Sequence, residues 1–154
     1  DGLDTQLRNA DRAVLSKAQT NEEALATIKP EASADLNSVL ASADRQGVTI
    51  YPLALPSGDP RRLPMPTPNI IGIYAAARAR LQSLADRTGG RLNEINRLEY
   101  MAQLYREVAA NLRTLYTVAY QAKGDSPRGK WREIKVEVVN ADLTARTRPG
   151  YYAR

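Results

Sequence analysis

Val48 to Leu55, VTIYPLAL, narrows the folds open to this chain more than any other stretch. It is almost continuously apolar, carries β-branched residues, and lies between Gly47 and Pro56. Such a run directly after a helix suits a strand buried on both faces of a parallel sheet, because helices then cover it above and below. Pro52 qualifies that expectation: it has no amide to give a ladder and favours an edge or a bulge.

The flanks supply the helices. Leu36, Val39, Leu40 and Ala43 form one stripe, with Ser33 able to cap its start and Gly47 to stop it. After the apolar run comes PSGDPRRLPMPTPN, residues 56–69, with five prolines in fourteen residues. This must be an irregular loop, and its LPMPTP portion has the spacing of polyproline II. From Asn69, a cap candidate, Ile70, Ile73, Tyr74, Ala77, Leu81, Leu84 and Ala85 repeat at helical intervals until TGG. GRLNEI then reads as a short strand. Asn96-x-x-Glu99 has the form of a capping box opening a further helix, whose stripe of Met101, Leu104, Tyr105, Val108, Leu112 and Leu115 is expected to be core. Residues 6–32 are polar and alanine-rich, interrupted by QTNEE, and read as two short helices or a loosely held excursion.

Beyond residue 115 the period changes from helical to alternating. Tyr116, Val118 and Tyr120 alternate with polar or small residues, KGDSPRGK makes a turn, and Trp131–Val139 should turn Ile134, Val136 and Val138 inward and Glu133, Lys135 and Glu137 outward. Asn140-Ala141-Asp142 suits a tight turn into LTARTR. The fold class expected is α/β: a partial doubly wound, Rossmann-like sheet with helices, extended by C-terminal antiparallel β-strands.

Composition removes several chemistries. The chain has no cysteine and no histidine, so thiol nucleophiles, disulfides, Cys/His zinc sites and histidine-based triads are excluded. Oxygen-ligand cations are the only plausible metals. No apolar run approaches membrane-spanning length, and the first residues lack the basic and apolar character of a signal peptide. Of the net +5, residues 1–50 contribute five Lys/Arg against eight Asp/Glu, and residues 51–154 seventeen against nine. That basic bias is a solvated face or, alternatively, a polyanion surface.

The order helix, buried strand, loop, helix, TGGR, short strand, helix resembles the second half of a von Willebrand factor A (VWFA) domain. VAANLRTLYTVAY, GKWREIKVEV and LTARTRPGYYA look like the C-terminal signature of the VWFA-related proteins of acidobacteria, with Arg148, Gly150, Tyr151 and Tyr152 on the family's closing Arg-x-Gly-Tyr-Tyr. The resemblance covers residues 1–5 and about 33–154. It implies that residues 1–115 are the C-terminal half of a VWFA-like domain, with 6–32 a divergent insertion and 56–69 the Pro-rich loop, and that 116–154 are a terminal β-strand extension. Complete members hold a divalent cation in a metal-ion-dependent adhesion site, to which Asp1 and Gly2 match the last Asp-Gly motif. The chain has no Asp-x-Ser-x-Ser, so Asp1 alone would hold Mg²⁺ or another divalent cation only weakly, and a cofactor is expected only in the complete domain.

Glu94, Glu99 and Glu107 offer no positioned pair for acid/base catalysis, and TGGR lacks the Lys-Ser/Thr of a phosphate loop. Tyr116, Tyr120, Trp131, Tyr151 and Tyr152, interleaved with Arg128, Arg132, Arg146 and Arg148, suit packing in a small β-layer, a protein interface, or stacking on single-stranded nucleic acid. The expected interaction residues are Tyr116, Tyr120, Trp131, Arg132, Arg148, Tyr151 and Tyr152. The function expected is a non-enzymatic interaction or adhesion module of a secreted or cell-envelope protein, partnered by an N-terminal half of the domain or by copies of itself. The alternatives are a subunit that assembles into homo-oligomers or filaments and, less favoured, a nucleic-acid or polyanion binder.

Overall fold

The computed structural model describes residues 5–30, 33–56, 59–122 and 127–153. It is a mixed helix-and-strand structure, half helical, with two sheets of two strands each. The helices are α1 (Thr5–Leu15), α2 (Asn21–Ala26), α3 (Ala34–Gln46), α4 (Pro68–Thr88) and α5 (Met101–Leu112). The strands are β1 (Leu53–Ala54), β2 (Asn93–Glu94), β3 (Trp131–Glu133) and β4 (Gly150–Tyr152).

The divergent segment forms two helices, and QTNEE, which read as an interruption, opens the second. Thr20 Oγ1 accepts from the Glu23 amide at 3.2 Å, and the Glu23 carboxylate accepts from the Thr20 amide at 3.4 Å, which closes a capping box. Ser33 caps α3 by accepting from the Leu36 amide at 3.3 Å. Helices α1, α2 and α3 all pack on α4. Leu15, Ala24 and Ile73 form a buried cluster, and alanines at 43, 76, 77 and 85 let the helices approach closely. Across the α1–α4 contact, Arg80 grips both oxygens of Asp11, one at 2.7 Å. The two side chains are only 14% and 13% exposed, so each is needed to satisfy the other.

α4 is a crossover helix. It leads from β1 to β2, which pair in parallel with Leu53 opposite Asn93 and Ala54 opposite Glu94. Pro52, lacking an amide, takes part through its carbonyl, which accepts from the Asn93 amide at 2.9 Å. The run is less enclosed than expected: Pro52 and Ala54 are buried, Leu53 and Leu55 half-buried, and Val48 is exposed, because a two-stranded ladder gives helices little to cover. Thr88 ties the run to α4, its Oγ1 accepting from the Ile50 amide at 2.9 Å. Gly89 ends α4 at φ 79°, and a Cβ there would stand 2.7 Å from the Arg148 amide nitrogen. Only glycine suits both the left-handed turn and that close approach.

Four sequence expectations are corrected. α4 begins at Pro68 with Thr67, not Asn69, as its cap: proline's fixed φ fits the first helical position, and Thr67 Oγ1 accepts from the Ile70 amide at 3.4 Å. The Asn96/Glu99 capping box does not form. A 3-10 turn over Leu98–Tyr100 moves the start of α5 to Met101, out of Asn96's reach, and no side chain caps α5. The stripe of α5 is not core, since none of its residues is buried; Met101, Leu104 and Val108 are half-buried, and Tyr105, Leu112 and Leu115 are exposed. Finally, Tyr116–Gln121 carries no strand, and the expected Trp131–Val139 strand is a ladder of three residues plus one rung, from the Ile134 amide to the Pro149 carbonyl at 2.8 Å. The Asn140–Leu143 turn is present, but the returning segment docks on the end of α4 through Arg146 instead of pairing with residues 135–139.

Candidate functional site

The antiparallel β3–β4 pair distributes the expected aromatic and basic residues over two faces, because side chains alternate along a strand. Trp131 lies opposite Tyr152 and Arg132 opposite Tyr151. The Trp131 and Tyr152 rings meet edge to face, with centroids 4.9 Å apart and planes at 66°. The Arg87 guanidinium of α4 stands 5.2 Å from the centre of the Trp131 ring and reaches Asp44 of α3 at 3.3 Å. Trp131 therefore anchors the strands to the helices. A Cβ on Gly150 would fall 2.3 Å from the Arg132 carbonyl and 2.5 Å from the Trp131 ring, so the aromatic pair exists only over a glycine.

On the opposite face the Tyr120 and Tyr151 phenols interact with one another, with Arg132 beside them. The interaction with Tyr120, together with the Arg132 side chain, holds the Tyr151 phenol below its ordinary value, and the same interaction raises Tyr120. Tyr116 does not join either group; it is 89% exposed. Arg148 is placed elsewhere too. Its guanidinium lies beside Gly47 at the end of α3, while Arg146 donates to the Gly90 carbonyl at 2.7 Å at the end of α4. Both cations sit where the helix dipole is negative, which is a docking role for the C-terminal segment.

Asp1, the expected metal residue, and Gly2 lie outside the described residues. Among the described residues no group of three acidic side chains converges. Glu94 pairs with Arg78 at 3.6 Å, and Glu107 accepts from Gln103 at 2.9 Å.

Sequence reasoning passed over a crevice at the carboxyl ends of β1 and β2. Pro56 and Arg62, from the loop after β1, face Asn96, Arg97, Leu98, Glu99 and Tyr100, from the loop after β2, around an open volume of about 960 Å³. The Arg62 guanidinium spans the gap and donates to the Asn96 carbonyl. Beside it, Arg61 holds Asp59 through both carboxylate oxygens, at 2.8 to 3.0 Å, and keeps that carboxyl below its ordinary range. Arg78 stacks over Tyr74 at 4.6 Å and donates to the Leu55 carbonyl. The signal available in the sequence was Asp59-Pro60-Arg61-Arg62, a basic pair in a loop that follows a strand. What concealed it was its distance in sequence from Arg97, which only the parallel pairing brings across.

Comparison of the sequence with protein-family models, with curated proteins and with solved structures gives no match in any of the three.

Proposed function

We propose that this chain is a non-enzymatic protein-interaction module whose partner is a strand-bearing polypeptide that adds to the β1–β2 ladder and covers the apolar face of α5. The observation that carries the reading is α5 itself: an amphipathic helix in the β–α–β–α order, with no buried residue and with Leu104, Tyr105, Val108 and Leu112 along one side. Parallel strands are stable chiefly when helices cover both faces of a wider sheet, and two-stranded ladders are marginal alone. A partner that widens the sheet supplies the surface that α5 lacks. The likeness of the C-terminal segment to VWFA-related proteins favours a first half of a VWFA-like domain as that partner, in a doubly wound sheet. It also favours a secreted or cell-envelope adhesion role, with any divalent cation held by the completed domain.

The test is to mix the chain with a polypeptide carrying the first half of a VWFA-like domain and follow amide exchange. Protection along α5 that is abolished by Leu104→Glu supports the reading; unchanged exchange along α5 defeats it. A second reading, assembly of copies through open strands, is favoured by Val136 and Val138, which alternate with Lys135 and Glu137, and by the adjacent Val139, all exposed without a ladder. Sedimentation that shows a monomer at every concentration, unchanged by Val138→Lys, removes it.

A further inference from the structure

The crevice at the carboxyl ends of the parallel strands has a chemistry that the interaction reading does not use. In open α/β sheets this is where ligands bind, since successive β–α loops leave a gap there. Four arginines gather near the gap, and they fall into two pairs. Arg61 and Arg78 are already held, by Asp59 and Glu94 respectively. Arg62 hydrogen-bonds the Asn96 carbonyl, a neutral acceptor, and shares Asp59 with Arg61 only through the attraction of charges, while Arg97 has neither an ion pair nor a hydrogen bond among the described residues. Both line the crevice, with Glu99 as the one acidic side chain there, so the lining carries a net positive charge.

The backbone adds to this. α5 starts at the crevice, and neither Tyr100 nor any other side chain caps its first turn. The Met101 amide already donates to the Leu98 carbonyl, so what α5 adds at the crevice is the positive end of its dipole. Glu99, which the sequence suggested for that role, lies in the preceding 3-10 turn instead. A guanidinium presents paired donors that match the two oxygens of a carboxylate or a phosphate, and Arg62 and Arg97 approach the gap from opposite loops.

We propose that Arg62 and Arg97, beside the positive end of α5, form a binding site for an oxyanion, either a phosphate monoester or a carboxylate. The site does not depend on whether α5 docks a partner, because the crevice lies at the end of that helix and not along its apolar stripe. Being open to solvent, it binds with an affinity that falls as ionic strength rises.

The experiment is NMR titration of the whole chain with inorganic phosphate and, separately, with succinate, against chloride at matched ionic strength. Both anions should shift the amides of residues 96–101 along with the Arg97 side-chain N–H. The tighter of the two identifies the source as phosphate-bearing or carboxylate-bearing. Arg97→Gln should weaken binding about tenfold, the loss of one charge-assisted bond, whereas Arg91→Gln, at the far end of β2, should leave it unchanged. Arg62→Gln also removes the tether between the loops, so Arg97→Gln carries the test. Equal shifts with chloride, no shifts at residues 96–101 with either anion, or undiminished binding in Arg97→Gln would overturn the proposal.

Discussion

Replacing Thr88 by valine tests the junction on which the parallel ladder depends. Thr88 is 3% exposed, and its hydroxyl does two things. It donates to the Leu84 carbonyl at 2.7 Å, and it accepts from the Ile50 amide at 2.9 Å, across 38 residues of chain. Valine keeps the shape and the β-branch but can do neither. The Leu84 carbonyl loses little, since it still has its place in the helix ladder. The Ile50 amide loses its partner in a half-buried position, and an orphaned donor costs about 1–3 kcal/mol. Exchanging a hydroxyl for a buried methyl returns somewhat under 1 kcal/mol. The net loss is then about 1–2 kcal/mol, a fall in Tm of about 2–8 °C for a chain of this size. Urea unfolding followed by circular dichroism measures the stability, and amide exchange at Ile50 identifies the cause. Thr88→Ser, which keeps the acceptor, should preserve Ile50 protection even if the missing methyl lowers Tm. A Thr88→Val chain of unchanged stability, with Ile50 still protected, would refute the reasoning.

Two further outcomes follow from the same geometry. Arg61 holds the Asp59 carboxyl below its ordinary 3.8, so Asp59 stabilises the fold above that pH, and the contribution is lost as pH falls through the lower folded value. Thermal melts between neutral and strongly acidic pH should lose that portion of the acid dependence in Asp59→Asn, and identical profiles would count against the pairing. Gly150→Ala places a Cβ 2.5 Å from the Trp131 ring, so the strand pair must shift at a cost of about 1–3 kcal/mol, as in other overpacked sites. Trp131 is the only tryptophan, so its fluorescence emission should change with the substitution and stay as it is in Ala145→Gly.

Local rules made much of this chain legible. Ser33 as a cap, Gly47 and Gly89 as helix stops, the long helix before TGG and the Asn140 turn all follow from interactions within a few residues or from strong periodicity. Apart from the misplaced caps at Asn69 and Asn96, the misses share a cause. α5 and the Tyr116–Tyr120 and Val136–Val139 segments have patterns that demand a partner surface, and the pattern alone does not say where that surface is. Periodicity reports which side of an element is apolar, not what lies against it. Tyr116 and Tyr120 are four residues apart, yet Tyr120 meets Tyr151 and Tyr116 meets solvent.

The sequence by itself determined elements whose stabilising contacts are local, namely the Ser33 cap, the Asn140 turn and the glycine helix stops, together with the exclusion of thiol and imidazole chemistry. Tertiary structure decided everything that depended on residues distant in the chain. It stacked Arg87 on Trp131, turned Arg146 and Arg148 to the ends of two helices, and brought Arg62 across from Arg97. The physical reason is that a cap or a turn is closed by atoms a few bonds away, whereas a shared crevice or a stacked pair exists only after the loop between its parts has been closed, and no local pattern encodes that closure.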